Sequence, residues 1–119
     1  MASVAFIGLG VMGYPMAGHL KTRGGHDVTV FNRNSEKAAR WAEQFSGAHA
    51  ATPESAAQGK DFVFCCVGND DDLRSVTTGE SGAFHSMKKG AVFIDNTTAS
   101  AEVARELSAE AAKRGFHFL

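Results

Sequence analysis

Two spacings of apolar residues alternate along this chain. Short apolar, partly β-branched runs fall at Val4–Ile7, Val28–Phe31, Phe62–Val67 and Ala91–Asp95. Such runs predict strands, with Val4–Ile7 and Phe62–Val67 buried on both faces. Between them the apolar residues recur at helical intervals. Met12, Met16 and Leu20 predict a first helix, which the glycines of "TRGGHD" stop. A second helix is predicted from about Ser35, with Ala38, Trp41, Ala42 and Phe45 on one side. His49–Ala51 reads as a short third strand, and Thr52-Pro53 as a helix start with a hydroxyl cap and a proline in the first turn. Asp70–Val76 opens with three carboxylates that suit the positive end of a helix dipole. Ala101–Arg114 carries Val103, Leu107 and Ala111 four apart, and Gly115 closes it. Phe116–Leu119 begins one more apolar run. Strands alternating with helices predict an open, mostly parallel α/β sheet covered on both faces.

Composition narrows the classes. A chain of 119 residues, 44% hydrophobic and 21% charged, fits one globular domain over 1–119 with a real core. A formal charge of −1 with no basic stripe argues against nucleic acid as a partner. No apolar run reaches the length of a membrane span and no signal-type segment opens the chain, so the expected location is cytoplasmic with no membrane partner. The two cysteines, Cys65 and Cys66, are adjacent and read as free thiols. The five histidines show no metal-ligand spacing, and the aspartate run at 70–72 reads as a solvated helix start, so no metal site is expected.

The chemistry gathers where the first strand ends. Gly8-Leu9-Gly10-Val11-Met12-Gly13 is G-x-G-x-x-G placed between a strand and a helix, the fingerprint of a dinucleotide site. Gly8 serves the sharp turn, Gly10 leaves room for a pyrophosphate, and Gly13 lets the helix approach the sheet. Backbone N–H groups near Val11 and Met12 face the phosphate charge. In a site for NAD, a carboxylate about 20 residues on binds the ribose hydroxyls. Here Asn32 stands there and Arg33 follows, with Asn34, Ser35 and Lys37 in the same turn. A guanidinium without a neighbouring acid suits a 2′-phosphate, so the residues favour NADP over NAD. Two further loops end strands on the same rim. Val67 and Gly68 offer backbone contacts. Thr97 and Thr98 offer hydroxyls to the nicotinamide ribose or to substrate. Ser100 reads as the cap of the following helix.

These segments together resemble the 3-hydroxyisobutyrate dehydrogenase, or β-hydroxyacid dehydrogenase, family. "FIGLGVMGYPMAGHL" is similar to its N-terminal signature, and "VFNRNSEKA" to the N-R-[ST]-x-x-K-[AC] segment of its NADP-using members, with Asn34 at the threonine or serine position. "FVFCCVGNDDDLRSV" and "VFIDNTTAS" resemble two later segments, with Gly68 and Ala101 where prolines are common. The resemblance implies a doubly wound Rossmann-type domain followed by an all-helical domain that makes a homo-oligomer. It implies hydride transfer between nicotinamide and a small 3-hydroxy acid or semialdehyde. The catalytic lysine of the family belongs to the helical domain and has no counterpart here, so no catalytic residue is assigned and the 119-residue chain alone is expected to be inactive. Imine reductases share the glycine loop and the N-R-T-x-x-K segment; 6-phosphogluconate dehydrogenase is more distant. A non-catalytic dehydrogenase-like binding module is the alternative from another class.

Overall fold

The computed structural model describes residues 2–97 and 99–119, and in it six strands form one parallel sheet. The strands are β1 (Ser3–Ile7), β2 (Asp27–Phe31), β3 (Ala48–His49), β4 (Phe62–Cys65), β5 (Val92–Asp95) and β6 (His117–Phe118), in the order β3-β2-β1-β4-β5-β6. The helices between them are α1 (Gly13–Thr22), α2 (Ser35–Phe45), α3 (Pro53–Ala57), α4 (Asp70–Thr77) and α5 (Ala101–Arg114). The order reverses between β1 and β4, which places a crevice beyond the carboxyl ends of those two strands.

The period of two along β1 divides the interior. Val4 and Phe6 join Leu9, Ala17, Val28, Val30, Ala38 and Trp41 beneath α1 and α2. Ala5 and Ile7 face the other way, toward Val63, Cys65, Phe93, Leu73, Val103 and Leu107. Side-chain caps fix the helix starts: Asn34 accepts from the Glu36 and Lys37 N–H groups, Thr52 from Ser55, Asn69 from Asp72 and Ser100 from Val103. Gly115, left-handed at φ 88°, ends α5.

Several sequence expectations are corrected. The fully buried residues of α1 are Gly13, Ala17 and Gly18; Met16 and Leu20 are partly buried against the same core, while Met12, at the N-cap position without a capping bond, is 65% exposed. Small residues win because the helix lies close to its neighbours: a Cβ on Gly18 would meet the Phe45 ring at 2.6 Å. β4 ends at Cys65, not Val67, because the Val67 N–H donates to the Thr97 hydroxyl at 3.0 Å and leaves the ladder. It is buried on one face only. Val63 and Cys65 are inside, while Phe62 is 37% exposed and Phe64 half-buried, since α1 and α2 pack chiefly over β1 and β2. β3 sits one residue earlier than expected, with Thr29 opposite Ala48 and Val30 opposite His49. A 3-10 turn at Ala83–His85 is not anticipated by periodicity.

A glycine-lined cleft at the switch point

The sharp bend after β1 depends on Gly8. Its φ is +97°, and a Cβ there would overlap the Cys66 carbonyl oxygen on β4's exit. Its N–H donates to the Phe31 carbonyl at 2.9 Å, which continues the β1–β2 ladder one step beyond β1. Gly13 is demanded from the opposite side, since its Cβ would overlap the Gly8 carbonyl oxygen. Gly10 differs: nothing lies within 4 Å of the position its Cβ would take. The fold therefore does not crowd Gly10, and its bare backbone faces open space.

Where the turn's N–H groups go decides what it can do. The Leu9 N–H is taken by the Asn32 side-chain oxygen at 2.9 Å. Tyr14 donates back to the Gly10 carbonyl at 3.0 Å. The N–H groups of Gly10, Val11, Met12 and Gly13 have no acceptor among the described residues. They cluster at the start of α1, where orphan donors and the helix dipole favour an anion. Val11 is 92% exposed and Met12 65%, so the turn itself lies open.

A cavity of about 800 Å³ opens over this turn. Of the residues singled out in the sequence, Gly8, Leu9, Gly10, Val11, Met12, Asn32, Arg33, Val67 and Gly68 line it. Gly13, Asn34, Lys37 and Thr97 do not. Gly13 is buried under the turn, and the Asn34 oxygen is occupied in capping α2. The Thr97 oxygen holds the Val67 N–H and its own N–H donates to Asp95 at 2.8 Å, so this residue fastens the β4 and β5 loops together. Thr98 lies outside the described residues.

The cavity also has walls that sequence reasoning missed. Pro53, Cys66, Asp72, Ser75, Val76 and Glu80 line it. Asp72, Ser75 and Val76 share one side of α4, a signal present in the sequence at offsets of three and four but masked by the polar reading of the aspartate run. That run is not simply solvated. Asp70 accepts the Ser100 N–H at 2.9 Å, Asp71 lies 3.7 Å from Arg74, and Asp72 accepts from Arg33 at 2.9 Å. Bonds from Ser100, first from its side chain and then from its backbone, hold the Asp70 carboxyl below its ordinary range. Cys66 on the cavity wall has its thiol pushed up by burial and by the Asp95 charge. Among the described residues no group of three or more His, Cys, Asp or Glu side chains is placed to hold a metal.

A sheet of this order, with a bare glycine turn beneath a cavity at its switch point, defines a Rossmann-type dinucleotide-binding domain. Residues 3–119 match the family described as the NAD binding domain of 6-phosphogluconate dehydrogenase, and the chain belongs to that family. An uncharacterized oxidoreductase of Shewanella frigidimarina is 64% identical over 109 residues, which cover 92% of this chain and 37% of the relative. The 3-hydroxyisobutyrate dehydrogenase of Mycobacterium tuberculosis, solved with L-serine, superposes with a TM-score of 0.88 at 30% identity, covering 99% of this chain and 39% of that one. Psf3, solved with NADP+ and 2-OPP, gives 0.87 at 26% identity, covering 97% and 40%. The chain thus spans about two fifths of the length of each of these three proteins. No helix among the described residues is long and apolar enough to cross a membrane.

Proposed function

We propose that this chain is the cofactor-binding domain of an NADP-dependent oxidoreductase that transfers hydride between nicotinamide and a small 3-hydroxy acid or its semialdehyde. The observation that carries the reading is the cluster of N–H groups from Gly10 to Gly13, without acceptors among the described residues, facing a cavity that also holds Arg33. The pyrophosphate is held by those N–H groups, with Gly10 giving it room. Asn32 and Arg33 take the adenosine ribose and its 2′-phosphate, Arg33 through charge-assisted hydrogen bonds, and Asn34 and Lys37 add donors from the same turn. Val67 and Gly68, which line the cavity, flank the nicotinamide half. Bound there, the nicotinamide ring supplies a hydride acceptor or donor. The likeness to a 3-hydroxyisobutyrate dehydrogenase supports the substrate class, and Psf3's complex supports the cofactor.

The proton of the substrate hydroxyl is assigned to a lysine of a following helical domain, which also makes a homo-oligomer; the 119-residue chain alone binds NADP(H) weakly and turns nothing over. Titration of Arg33→Ala with both reduced cofactors tests the cofactor assignment. Loss of a charge-assisted bond worth roughly 1.5–3 kcal/mol weakens NADPH about 10–100-fold and leaves NADH nearly unchanged. Equal losses for the two cofactors defeat the 2′-phosphate assignment.

A further inference from the structure

Arg33 leaves the end of β2 and reaches across the cavity mouth to the first turn of α4. Its Nη2 donates to Asp72 Oδ1 at 2.9 Å, joining walls that are 39 residues apart in sequence. Arg33 is 84% exposed and Asp72 29%. Asp72 is the better anchored partner: its own N–H donates to the Asn69 side-chain oxygen at 2.8 Å, and the helix start favours its charge. Among the described residues lining the cavity, Arg33 is the one cation, whereas Asp72 and Glu80 are both carboxylates. A phosphate arriving beside Arg33 therefore meets a guanidinium that is already paired, with the pairing carboxylate next to it.

We propose that Asp72 is a specificity residue of this cleft: its carboxylate competes with the 2′-phosphate of NADP for Arg33, and so holds the preference for NADP over NAD below what Arg33 alone gives. The proposal rests on the reading that Arg33 receives the 2′-phosphate. NAD, with free ribose hydroxyls, leaves the Arg33–Asp72 pair intact. NADP must exchange one anion for the other. The exposed geometry limits the size of the effect, because pairs of this kind are worth a fraction of what buried pairs are.

The test is a double-mutant cycle read by equilibrium titration with NADPH, NADH and the fragment pair 2′,5′-ADP and 5′-AMP. Asp72→Asn is expected to tighten NADPH and 2′,5′-ADP about two- to fivefold while leaving NADH and 5′-AMP unchanged. In an Arg33→Ala background the same substitution is expected to have a smaller effect, because only repulsion remains. Asp72→Ser is measured in parallel, so that disturbance of the α4 start by one side chain does not decide the outcome. Weaker NADPH binding by both Asp72 variants means that the carboxylate positions Arg33, and overturns the proposal. So does an unchanged NADPH affinity when Arg33→Ala alone weakens it. If Arg33→Ala leaves NADPH untouched, the 2′-phosphate reading itself falls and takes the proposal with it.

Discussion

The Leu9 N–H donates to the Asn32 side-chain oxygen at 2.9 Å, and the same Asn32 amide donates through Nδ2 to the Asn34 carbonyl at 3.1 Å. One side chain thus ties the glycine turn to the entry of α2. An aspartate keeps the first bond and loses the second, setting a carboxylate oxygen against a carbonyl. It also places a negative charge where a ribose phosphate is assigned. Asn32→Asp is expected to weaken NADPH roughly tenfold or more, since juxtaposed like charges cost several kcal/mol. NADH binding is retained or improved, because an acid at this position accepts from ribose hydroxyls. Fluorescence titration with both cofactors checks this; unchanged NADPH affinity would show that the adenosine ribose lies elsewhere.

The adjacent thiols are separated by the sheet itself. Cys65 is fully buried beneath α4 and α5, and burial followed by the Asp95 charge pushes its thiol well above the ordinary 9.0. Cys66 lines the cavity and is raised by the same two causes. Thiolate is the reactive form, so both are slow at neutral pH. Iodoacetamide at pH 8 is expected to alkylate Cys66 slowly and Cys65 only after unfolding, as read by peptide mass spectrometry. NADPH is expected to slow the Cys66 reaction further. Native labelling of both thiols at the rate of a free cysteine would contradict the burial.

The parts of this molecule legible in its sequence are those encoded locally. Spacing of Val103, Leu107 and Ala111, a serine cap before them and a glycine after them define α5 to the residue. The glycine turn is legible for the same reason: turn, close approach and helix start all fall within six residues, and each demands a particular side chain or none. What escaped the sequence depends on residues distant along the chain. Asp72 belongs to the cavity because β4 lies beside β1 in the sheet, and its partner Arg33 sits beyond β2. Thr97 looked available for a ligand, yet its oxygen is committed to Val67 thirty residues earlier. The half-covered face of β4 was also invisible, because an apolar run carries no record of which side its neighbours cover.

Trp41 carries the largest buried side chain and an indole N–H with no hydrogen-bond partner among the described residues. Its ring packs at 5.4 Å from Phe45, and a Cβ on Gly47 would run into it. An unpaired buried donor costs about 1–3 kcal/mol, which offsets part of what the large ring contributes. Trp41→Phe removes that donor while keeping a smaller aromatic ring, and is expected to cost clearly less than Trp41→Ala, because loss of the unpaired donor offsets part of the smaller cavity's cost. Trp41→Ala opens a cavity and is expected to cost about 3–5 kcal/mol. Urea denaturation of both variants separates the terms. A Phe variant as unstable as the Ala variant would show that the indole N–H is satisfied.

Asp61 couples three segments just before β4. Its Oδ1 accepts from the Lys88 ammonium at 2.8 Å and its Oδ2 from the Ser3 N–H at 3.1 Å, at the start of β1. The Lys88 hydrogen bond first, and the Ser3 bond second, hold this carboxyl below its ordinary 3.8. A folded-state value below the unfolded one means that the contribution to stability is fully present above 3.8 and is lost as the pH falls through the lowered value. Asp61→Asn is therefore expected to lower the thermal midpoint at pH 7, with the gap from the parent closing in acid as the pH falls below the ordinary 3.8 and through the lowered value. Added salt is expected to narrow the gap at pH 7 only in part, because screening weakens the exposed Lys88 pair far more than the bond from the Ser3 backbone. A gap that stays constant across the acid range would assign the loss to local geometry rather than to the charge of Asp61.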